Sequence, residues 1–567
     1  MLSIAKLRVG QEAYQLSGVA QSLDDYYTGA GEATGHWAGI GAERLGLSGE
    51  VTADDLRAVL AGMAPGAGGL SPDGSTIRTH ARRVPGFDLT FKAPKSVSVL
   101  YAVTDDLRVQ GAIIEAGEHA AREALGWLER EAIHVRRGSG NAQLLNDMAA
   151  RDPEAAEAAR LRTVPANGVV AAMFRHRTSR AGDPLLHWHT LVANMAEGPD
   201  GRWTALHGTD MYRAARAAGE VFQTVLRDEL SERLGVQWRP GRHVPEIAGI
   251  PQELLDQFSK RSKEIEDWLA HTGTPADAAG RQAAVLATRR NKPEVEHERF
   301  DAAWKTEATQ FGWGPEAAEA LLLSHTPRTV AQVDDAWVVS LAKDLTEHQS
   351  TFTRNELVQA AAARLGNGAS MAYVERTVAA ILASPHIVPV GDDARRWTSQ
   401  DLLYVERRFL NAATGRIGSL PSIDPTITAE VLALFPTIGA DQHAAVIQLA
   451  GTSDAVSVLV GPAGTGKTFT LDAIRAVYET AGYRVIGAAP SARAAHELEA
   501  GAQIPSTTIH RLLGSWERGF DRPDRTTLLV IDESAMAGTR DLEAIVTATD
   551  TLGDECCSPG TIINCRK

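Results

Sequence analysis

The chain has 567 residues, of which 44% are hydrophobic and 23% charged, a composition typical of a globular protein of roughly three or four domains and not of a disordered or fibrous one. Its formal net charge at pH 7 is −14, so a polyanion such as DNA can bind only where positive charge is local. All three cysteines, Cys556, Cys557 and Cys565, lie in the last twelve residues, which excludes a disulfide framework and cysteine-only zinc sites from every domain before them.

No export or membrane signal is evident. The first residues, MLSIAKLRVGQEAYQ, lack the apolar core of a signal peptide, and no run approaches the ~18 uninterrupted apolar residues of a spanning helix. We therefore expect a cytoplasmic protein that does not insert into a membrane. Local positive charge is available in three short clusters, each of which also fits a solvated surface: Arg78, Arg82 and Arg83; Lys92 and Lys95; and Arg175, Arg177 and Arg180.

Residues 1–300 combine strand-like and helical runs and are predicted to form one α+β domain. The strand-like runs are GFDLTF, GVVAAMFRH and LHWHTLVANM, and the helical ones are AIIEAGEHAAREALGWLEREA and DMYRAARAAGEVFQTVLRDELSERL. Residues 140–165 are rich in Ala and Glu and predict an inserted helix or loop.

Three of the nine tyrosines fall within fourteen residues near the N-terminus: Tyr14, Tyr26 and Tyr27. Tyrosine can form a covalent intermediate, and a phosphodiester held by a metal ion is a suitable electrophile. The same side chains could equally pack along the edge of a helix, and the residue pattern alone does not choose between these interpretations.

A three-histidine pattern follows in GVVAAMFRHRTSRAGDPLLHWHTLVANM. His187 and His189 are two apart on a predicted strand and share one face, and the turn residues TSRAGDP predict a hairpin that brings His176 across from them. Three imidazoles on one surface form a metal site with open positions for substrate oxygens. Lone histidines are more often surface or core residues, but this spacing favours the metal site. Asp88 in GFDLTF could orient a ligand histidine or be solvated, and Trp188 is expected in the core.

Residues 301–425 are predicted to be a mostly helical accessory region. TRNELVQAAAARLG, YVERTVAAILA and the short run HIVPVG give a helix–helix–strand order that resembles a winged helix. RIGSLPSIDPTIT, near residues 416–428, contains Gly, Ser and two prolines and predicts a linker. From about residue 429 strands and helices alternate, as in a parallel α/β sheet.

The segment VSVLVGPAGTGKTFTLDAIRAVYETAG fits G-x-x-x-x-G-K-[ST], the phosphate-binding P-loop. Gly461, Gly464 and Gly466 let backbone N–H groups approach phosphate oxygens, and the N-terminus of the following helix adds its dipole. Lys467 would reach the β- and γ-phosphates, and the Thr468 hydroxyl would hold Mg²⁺. An apolar strand before the loop and a helix after it make a chance Gly-rich turn the weaker interpretation.

An acidic pair completes this pattern, because the apolar strand in TTLLVIDESAM ends at Asp532 and Glu533. Asp532 is the predicted Mg²⁺ partner, and Glu533 the predicted base for the attacking water. Gln442, about twenty residues before the loop, could read adenine with its amide or be a solvated helix residue. We therefore predict ATP with Mg²⁺ as the ligand of this half.

Together these motifs resemble the conjugative relaxases of the TrwC/TraI (MobF) family. The resemblance is carried by EAYQ, DDYYTGAGE, GAERLGLSGEV, FDLTFKAPKSVS, FRHRTSRAGDPLLHWHTLVANM and FSKRSKEIEDWLA, over residues 1 to about 300. It resumes from about residue 430 to 550 as a resemblance to RecD-like superfamily 1 helicases. It spans most of the chain, with the motifs in the family's order.

The resemblance implies an α+β relaxase domain with a central antiparallel sheet and a His-hydrophobic-His (HUH-type) site for a divalent metal, Mg or Mn. It implies that a tyrosine attacks a phosphodiester at an origin of transfer, leaving a 5′-phosphotyrosyl link and a free 3′-OH. The implied partners are single-stranded and hairpin DNA of the origin, relaxosome accessory proteins and a conjugative coupling protein in the bacterial cytoplasm. The basic clusters near Asp88 and His176 would then contact phosphates.

The tyrosines depart from the family pattern. The other relaxase residues match it: the metal triad His176, His187 and His189, and the supporting acid Asp88. The family often has two tyrosine pairs; the first appears here as Tyr14-Gln15 and lacks one member, whereas the second is intact as Tyr26-Tyr27. Chain order gives Tyr14 the first cut and Tyr26 the second-strand attack, but an offset alignment gives Tyr26 the first role.

The helicase resemblance covers only the first RecA-like domain. It supports the nucleotide roles of Gln442, Lys467, Thr468, Asp532 and Glu533. After DLEAIVTATDTLG the family continues with an apolar strand, a Gly-Asp-x-x-Gln motif and a second RecA-like domain whose arginine completes ATP hydrolysis, whereas this chain continues with DECCSPGTIINCRK. We expect no helicase activity and at most weak nucleotide binding, and we interpret the last residues as out-of-family sequence from a frameshift or a premature end.

The predicted organisation is a relaxase domain at residues 1–300, the accessory region at 301–425, a truncated first RecA-like ATP-binding domain at 426–552 and an out-of-family tail at 553–567. The favoured function is DNA nicking and strand transfer. The alternatives are an origin-binding remnant without catalysis and a metal-dependent phosphodiesterase that uses water. A test for a covalent protein–DNA adduct separates the three.

Overall fold

The structure is a computed structural model that describes residues 2–8, 34–66, 84–179, 181–288, 297–323, 332–392, 395–415, 421–462, 464–524, 526–550 and 561–566. It contains two compact units. Unit 1 comprises residues 1–333 and 355–380, and unit 2 comprises residues 334–354 and 381–567. The domain boundaries predicted at residues 300, 425 and 552 stay predictions.

The secondary structure mixes strands and helices along the whole chain. The strands are Leu2–Lys6 (β1), His36–Ala38 (β2), Gly86–Lys92 (β3), His134–Arg137 (β4), Arg162–Pro165 (β5), Ala171–Thr178 (β6), Pro184–Ala193 (β7), Ala196–Glu197 (β8), Trp203–Thr204 (β9), Trp238–Arg239 (β10), Glu246–Ile247 (β11), Phe352–Thr353 (β12), Ile387–Val390 (β13), Arg396–Ser399 (β14), Val456–Val460 (β15), Arg484–Ala489 (β16), Ser506–Thr508 (β17), Thr527–Ile531 (β18) and Thr561–Arg566 (β19). The helices are Ile40–Arg44 (α1), Ala53–Leu60 (α2), Lys95–Val103 (α3), Leu107–Ala132 (α4), Ala142–Ala149 (α5), Pro153–Ala159 (α6), Gly208–Leu234 (α7), Gln252–Gln257 (α8), Lys260–Thr272 (α9), Ala278–Ala287 (α10), His297–Gln310 (α11), Pro315–Leu323 (α12), Asp335–Leu345 (α13), Arg354–Arg364 (α14), Met371–Leu382 (α15), Gln400–Thr414 (α16), Pro425–Leu432 (α17), Ala440–Gly451 (α18), Lys467–Thr480 (α19), Ala492–Ala502 (α20), Ile509–Glu517 (α21) and Thr539–Asp550 (α22).

The central sheet of unit 1 has five antiparallel strands in the order β1-β3-β7-β6-β2. This confirms the predicted central antiparallel sheet. The strands β6 and β7 form the predicted hairpin, and its turn is closed by Ser179, whose backbone N–H donates to Asp183 O at 2.9 Å and whose Oγ accepts from the backbone N–H of Asp183 at 3.2 Å. The turn residues therefore fix the register that later places the histidines.

Two long helices, α4 and α7, pack together behind this sheet. Trp188 on β7 is fully buried, as predicted, and its ring lies 5.8 Å from that of Phe222 on α7. Gly117 on α4 makes room for it, because a Cβ atom there would lie 1.9 Å from Trp188 Cη2. The face of β7 opposite Trp188 is the one that carries His187 and His189.

The insertion at residues 140–165 forms two short helices, α5 and α6, and the strand β5, which pairs with β4 in a two-stranded antiparallel ribbon. The predicted linker at 416–428 is wrong at its C-terminal end, where α17 begins at Pro425. Asp424 accepts a hydrogen bond from the backbone N–H of Thr426 at 2.9 Å, and proline is well suited to the first helical position. The Pro and Asp that suggested a linker are therefore the start of a helix.

Unit 2 contains a three-stranded antiparallel sheet, β12-β14-β13, and a five-stranded parallel sheet, β15-β19-β18-β16-β17. The predicted parallel α/β arrangement is confirmed, and β15 is the apolar strand predicted before the P-loop. Within the segment interpreted as an out-of-family tail, residues 561–566 form β19, which lies between β15 and β18. The origin of that tail stays a prediction.

Among the described helices, none combines the length and the apolar character that crossing a bilayer requires.

Candidate metal centre and nucleotide site

Three histidines of the β6–β7 hairpin lie together on one face of the unit 1 sheet. His176 is directly opposite His187 in the antiparallel register, and His189 follows two residues later. The ring centroids are 4.9 to 5.4 Å apart in the three pairs, and one nitrogen from each ring lies within 4.8 Å of the others. One ion could bridge three nitrogens at that spacing. The structure brings the three predicted histidines together, and their role as ligands stays a proposal.

Asp88 on β3 holds one ring nitrogen of His189. Both carboxylate oxygens lie 2.9 Å from His189 Nδ1, and because a carboxylate only accepts, the proton is on Nδ1. Thr90, directly opposite His189 in the β3–β7 register, has its Oγ 3.3 Å from the same nitrogen and donates to Asp88 Oδ1 at 3.3 Å. His189 Nε2 therefore keeps its lone pair for a metal ion.

His187 is held in the same tautomer by the backbone. Its Nδ1 lies 2.8 Å from the carbonyl oxygen of Leu185, which also only accepts, so Nε2 again carries the lone pair. Burial lowers the pKa of His187 well below its ordinary value, and the neighbouring His189 and His176 act in the same direction. The neutral imidazole, which is the form that binds metals, is therefore favoured at physiological pH.

Sequence reasoning missed Thr90 as a member of this site. The sequence did contain a signal for it: Asp88, Thr90 and Lys92 are spaced two apart along β3 and so share one face, by the same rule that placed His187 and His189 together. Lys92 lies directly opposite His187 in the β3–β7 register. Burial lowers the pKa of Lys92, against the carboxylate of Asp88, which raises it.

A half-buried lysine ties the start of β7 to a distant part of the chain. Lys95 Nζ donates to the carbonyl oxygens of Pro184 at 2.9 Å and Phe258 at 2.7 Å. Burial lowers the pKa of Lys95 to about 8, although the carboxylates of Asp183 and Glu246 oppose this shift. These contacts fix the strand that carries His187 and His189.

The lowered pKa of Lys95 makes the stability of unit 1 depend on pH. Because the pKa is about 8 in the folded chain and about 10.4 in an unfolded one, the unfolded state binds more protons between these values. We expect the free energy of unfolding of unit 1 to rise from pH 8 to pH 10 relative to a Lys95→Met variant, by about 1–3 kcal/mol. Urea unfolding followed by tryptophan fluorescence measures it. A difference between the two proteins that stays constant with pH would contradict it.

The basic clusters are only partly described. Arg175 Nη1 lies 3.5 Å from Glu118 Oε1, and Arg177 Nη1 lies 3.2 Å from Asp301 Oδ2, so both arginines have acidic neighbours. The remaining arginines and the candidate nucleophiles lie outside the described residues: Arg78, Arg82, Arg83, Arg180, Tyr14, Tyr26 and Tyr27. The roles predicted for these residues stay predictions.

In unit 2 the predicted P-loop connects β15 to α19. Gly464 and Gly466 have φ values of +81° and +76°, in the left-handed region that glycine adopts without strain. The Lys467 ammonium group donates to the carbonyl oxygens of Gly461 at 2.6 Å and Pro462 at 3.2 Å. Thr468 lies in the first turn of α19 and is exposed. The loop thus leads directly into a helix N-terminus, the arrangement that favours phosphate binding.

Gln442 lies against this loop. Its Nε2 donates to the carbonyl oxygens of Thr465 at 3.0 Å and Gly466 at 3.3 Å, and its Oε1 accepts from the backbone N–H of Gly439 at 2.9 Å. It is therefore a support of the loop rather than a solvated helix residue. Recognition of adenine by the same amide stays a prediction.

The acidic pair follows β18. Asp532 comes directly after Ile531, the last residue of that strand, and its Oδ1 accepts from the backbone N–H of Glu533 at 2.9 Å. Because β15, β19 and β18 are parallel neighbours, the P-loop and the acidic pair leave the same edge of the sheet.

Two family models match the chain. The TrwC relaxase family matches residues 9–311, and the AAA domain family matches residues 437–560. The chain is 32% identical over 326 residues to the multifunctional conjugation protein TraI of Escherichia coli K12, a match that covers 55% of this chain and 16% of TraI. It thus spans about a sixth of that relative's length.

Two further matches concern the two halves separately. A segment of 102 residues is 36% identical to the ATP-dependent RecD2 DNA helicase of Deinococcus radiodurans, covering 17% of this chain and 14% of that helicase. A metal-bound structure of the conjugative relaxase TrwC in complex with oriT DNA matches 55% of this chain and 99% of its own, with 31% sequence identity and a TM-score of 0.45.

Proposed function

This chain belongs to the TrwC relaxase family, and from that premise we propose that it nicks one DNA strand at an origin of transfer and stays joined to that strand through a tyrosine. The observation that carries the proposal is the cluster of His176, His187 and His189 with Asp88 behind it. Three convergent imidazoles can hold a divalent ion with open positions, and such an ion can orient a phosphodiester for attack.

The histidine cluster fits a divalent ion by its own geometry. Nε2 of His187 and of His189 carries the lone pair, since each Nδ1 donates its proton elsewhere. When bound, an Mg²⁺ or Mn²⁺ ion would polarise a phosphate oxygen. Asp88 and Thr90 fix the His189 ring, and the Lys92 side chain adds positive charge opposite His187.

The proposed reaction exchanges one phosphoester bond for another. The phenolic oxygen of Tyr14 or Tyr26 attacks phosphorus, the bond from phosphorus to the 3′ oxygen breaks, and that oxygen takes a proton to become a 3′-OH. The phenolic proton passes to solvent. The strand is left attached to the protein through its 5′ phosphate, so no external energy source is needed for rejoining.

A labelling experiment tests this function. We expect the purified chain with Mn²⁺ to convert part of a pool of random single-stranded oligonucleotides, labelled at the 3′ end, into a protein-linked species that survives SDS. Separate Tyr14→Phe, Tyr26→Phe and Tyr27→Phe variants identify the nucleophile, because phenylalanine keeps the ring and removes only the attacking oxygen. Loss of the adduct in one variant alone is the expected result.

The two alternatives have different outcomes in the same gel. Cleavage of the labelled strand without a linked species would replace tyrosine attack with metal-dependent hydrolysis by water. DNA binding without cleavage would reduce the chain to a non-catalytic origin-binding protein.

The second half is proposed to bind ATP with Mg²⁺, through the P-loop residues Gly461, Gly464, Gly466, Lys467 and Thr468 and the acids Asp532 and Glu533. We expect Lys467→Ala to weaken binding of a fluorescent ATP analogue about 10- to 100-fold, since it removes a charge-assisted hydrogen bond to phosphate. Lys343→Ala, which removes an exposed ammonium group elsewhere in unit 2, is the matched control. Equal affinities of the two variants would contradict the assignment.

The wider assembly follows from the family. The DNA substrate is proposed to be single-stranded and hairpin DNA of the origin, in a bacterial cytoplasm, with accessory proteins and a coupling protein as partners.

A further inference from the structure

We propose that a cavity at the start of α7, in unit 1, holds one nucleotide of the bound DNA strand at a place separate from the histidine cluster. The inference rests on the proposed function, since it assumes that DNA is the polymer bound. The proposed contact with DNA uses residues other than those of the histidine cluster. The nicking reaction itself does not require this contact.

The cavity has the size of a small-ligand site and lies behind the sheet. Its volume is about 570 Å³, within the range of pockets that enclose small molecules. Phe87 lines it, whereas the next residue on β3, Asp88, contacts His189. Because consecutive strand residues point to opposite faces, the cavity and the histidine cluster lie on opposite sides of the sheet.

An exposed aromatic ring supplies a stacking surface. Tyr212 on α7 lines the cavity and is 39% exposed. Its ring is held edge-on against Phe87, with centroids 6.2 Å apart and an interplanar angle of 78°. Phe87 thus helps to hold the Tyr212 ring in position, and an unpaired nucleobase can stack on an aromatic ring held in this way.

Two cations at the cavity suit a phosphate group. Lys6 at the end of β1 and Arg136 on β4 both line it, and both side chains are exposed. Among the ion pairs of the described residues, neither takes part in one. The chain as a whole carries a net charge of −14, so two cations that have no acidic partner among the described residues are a local exception at this cavity.

The acidic group near the cavity is already engaged. Asp210 Oδ2 lies 3.0 Å from His207 Nδ1 and 3.3 Å from His134 Nδ1, and its Oδ1 lies 3.5 Å from Arg213 Nη1. Arg213, one turn along α7, therefore supplies a positive charge beside this carboxylate. The aromatic wall and the cationic rim together match a nucleobase joined to a phosphate, and an apolar ligand would leave both cations without a partner.

Photocross-linking tests the proposal directly. Single-stranded oligonucleotides of random sequence, with thymine replaced by 5-iodouracil, are irradiated with the full chain, and the linked peptides are identified by mass spectrometry. We expect a cross-link at Tyr212. We also expect Tyr212→Leu and Arg136→Gln each to weaken binding of the same oligonucleotides about 10-fold, whereas Tyr212→Phe, which keeps the stacking ring, binds like the wild type.

The matched control is Arg216→Gln, which removes one exposed charge one turn further along α7 and outside the cavity lining. Its affinity is expected to stay within twofold of the wild type, as is the thermal unfolding of every variant. Cross-links confined to other residues, together with wild-type affinity of Tyr212→Leu, would overturn the proposal.

Two further outcomes separate this proposal from the binding of a free nucleotide and from the proposed nicking function. If labelled thymidine monophosphate binds in a Tyr212-dependent manner while DNA does not cross-link there, the cavity serves a free nucleotide and the assignment to DNA is overturned. If Tyr212 cross-links to DNA but no SDS-resistant adduct ever forms, the nicking function fails and the nucleotide cavity is supported. Adduct formation by Tyr212→Leu at saturating DNA, together with a cross-link at Tyr212 in the wild type, supports both.

Discussion

Replacing His187 with alanine is expected to abolish the covalent protein–DNA adduct, with a loss of at least about 100-fold in its rate of formation. His187 lies opposite His176 and its Nδ1 proton is committed to the Leu185 carbonyl, so the alanine variant removes one of three convergent lone pairs. Two imidazoles hold a divalent ion much more weakly than three. The gel assay with 3′-labelled strands measures the adduct.

A histidine outside the cluster provides the control. His119→Ala removes an imidazole on α4 whose side chain is 48% exposed and lies 3.5 Å from Glu229. We expect it to leave adduct formation unchanged. A His187→Ala protein that still forms the adduct at the wild-type rate would contradict a role for the cluster in the reaction.

Asp88→Asn tests the support of the cluster by a readout other than activity. The asparagine keeps the shape of the side chain but loses its negative charge. In the wild type, Asp88 Oδ1 lies 2.9 Å from His189 Nδ1. We expect Mn²⁺ binding, measured by calorimetry, to weaken about 10- to 100-fold. Unchanged Mn²⁺ affinity would mean that the carboxylate serves only the packing of β3.

The histidine cluster could be predicted from sequence because it depends on local rules. A strand period of two puts His187 and His189 on one face, and a short turn brings His176 across from them. Asp88 is 101 residues from His189 in sequence, and only the alternation within GFDLTF indicated its face. The prediction that Asp88 supports a ligand histidine then followed from the family resemblance.

The contacts that could not be predicted join segments with no shared periodicity. Lys95 donates to the carbonyl oxygen of Phe258, 163 residues away, and Arg227, fully buried on α7, donates to that of Leu365 at 3.3 Å. Such bonds depend on the final packing of helices, which a local pattern does not encode. The placement of residues 355–380 in unit 1 has this origin.

Gly117→Ala is expected both to destabilise unit 1 and to weaken Mn²⁺ binding by the histidine cluster. The added methyl group would collide with Trp188, the residue between His187 and His189. Its Cβ would lie 1.9 Å from Trp188 Cη2 and 2.1 Å from Cζ2, and the indole is fully buried. Overpacking of this kind costs about 1–3 kcal/mol, against the gain of about 1 kcal/mol that alanine brings to a helix interior.

Gly111→Ala, on the same helix, isolates the packing effect. No atom lies within 4 Å of the Cβ position at Gly111, so only the helix propensity changes and we expect unit 1 to be more stable by about 0.5–1 kcal/mol. Urea unfolding and Mn²⁺ calorimetry on both variants compare stability with metal affinity. Gly117→Ala could instead lower stability and leave the Mn²⁺ affinity intact. That result would mean that Trp188 shifts without moving His187 and His189, so that packing on the buried face of β7 does not position the histidines on its opposite face.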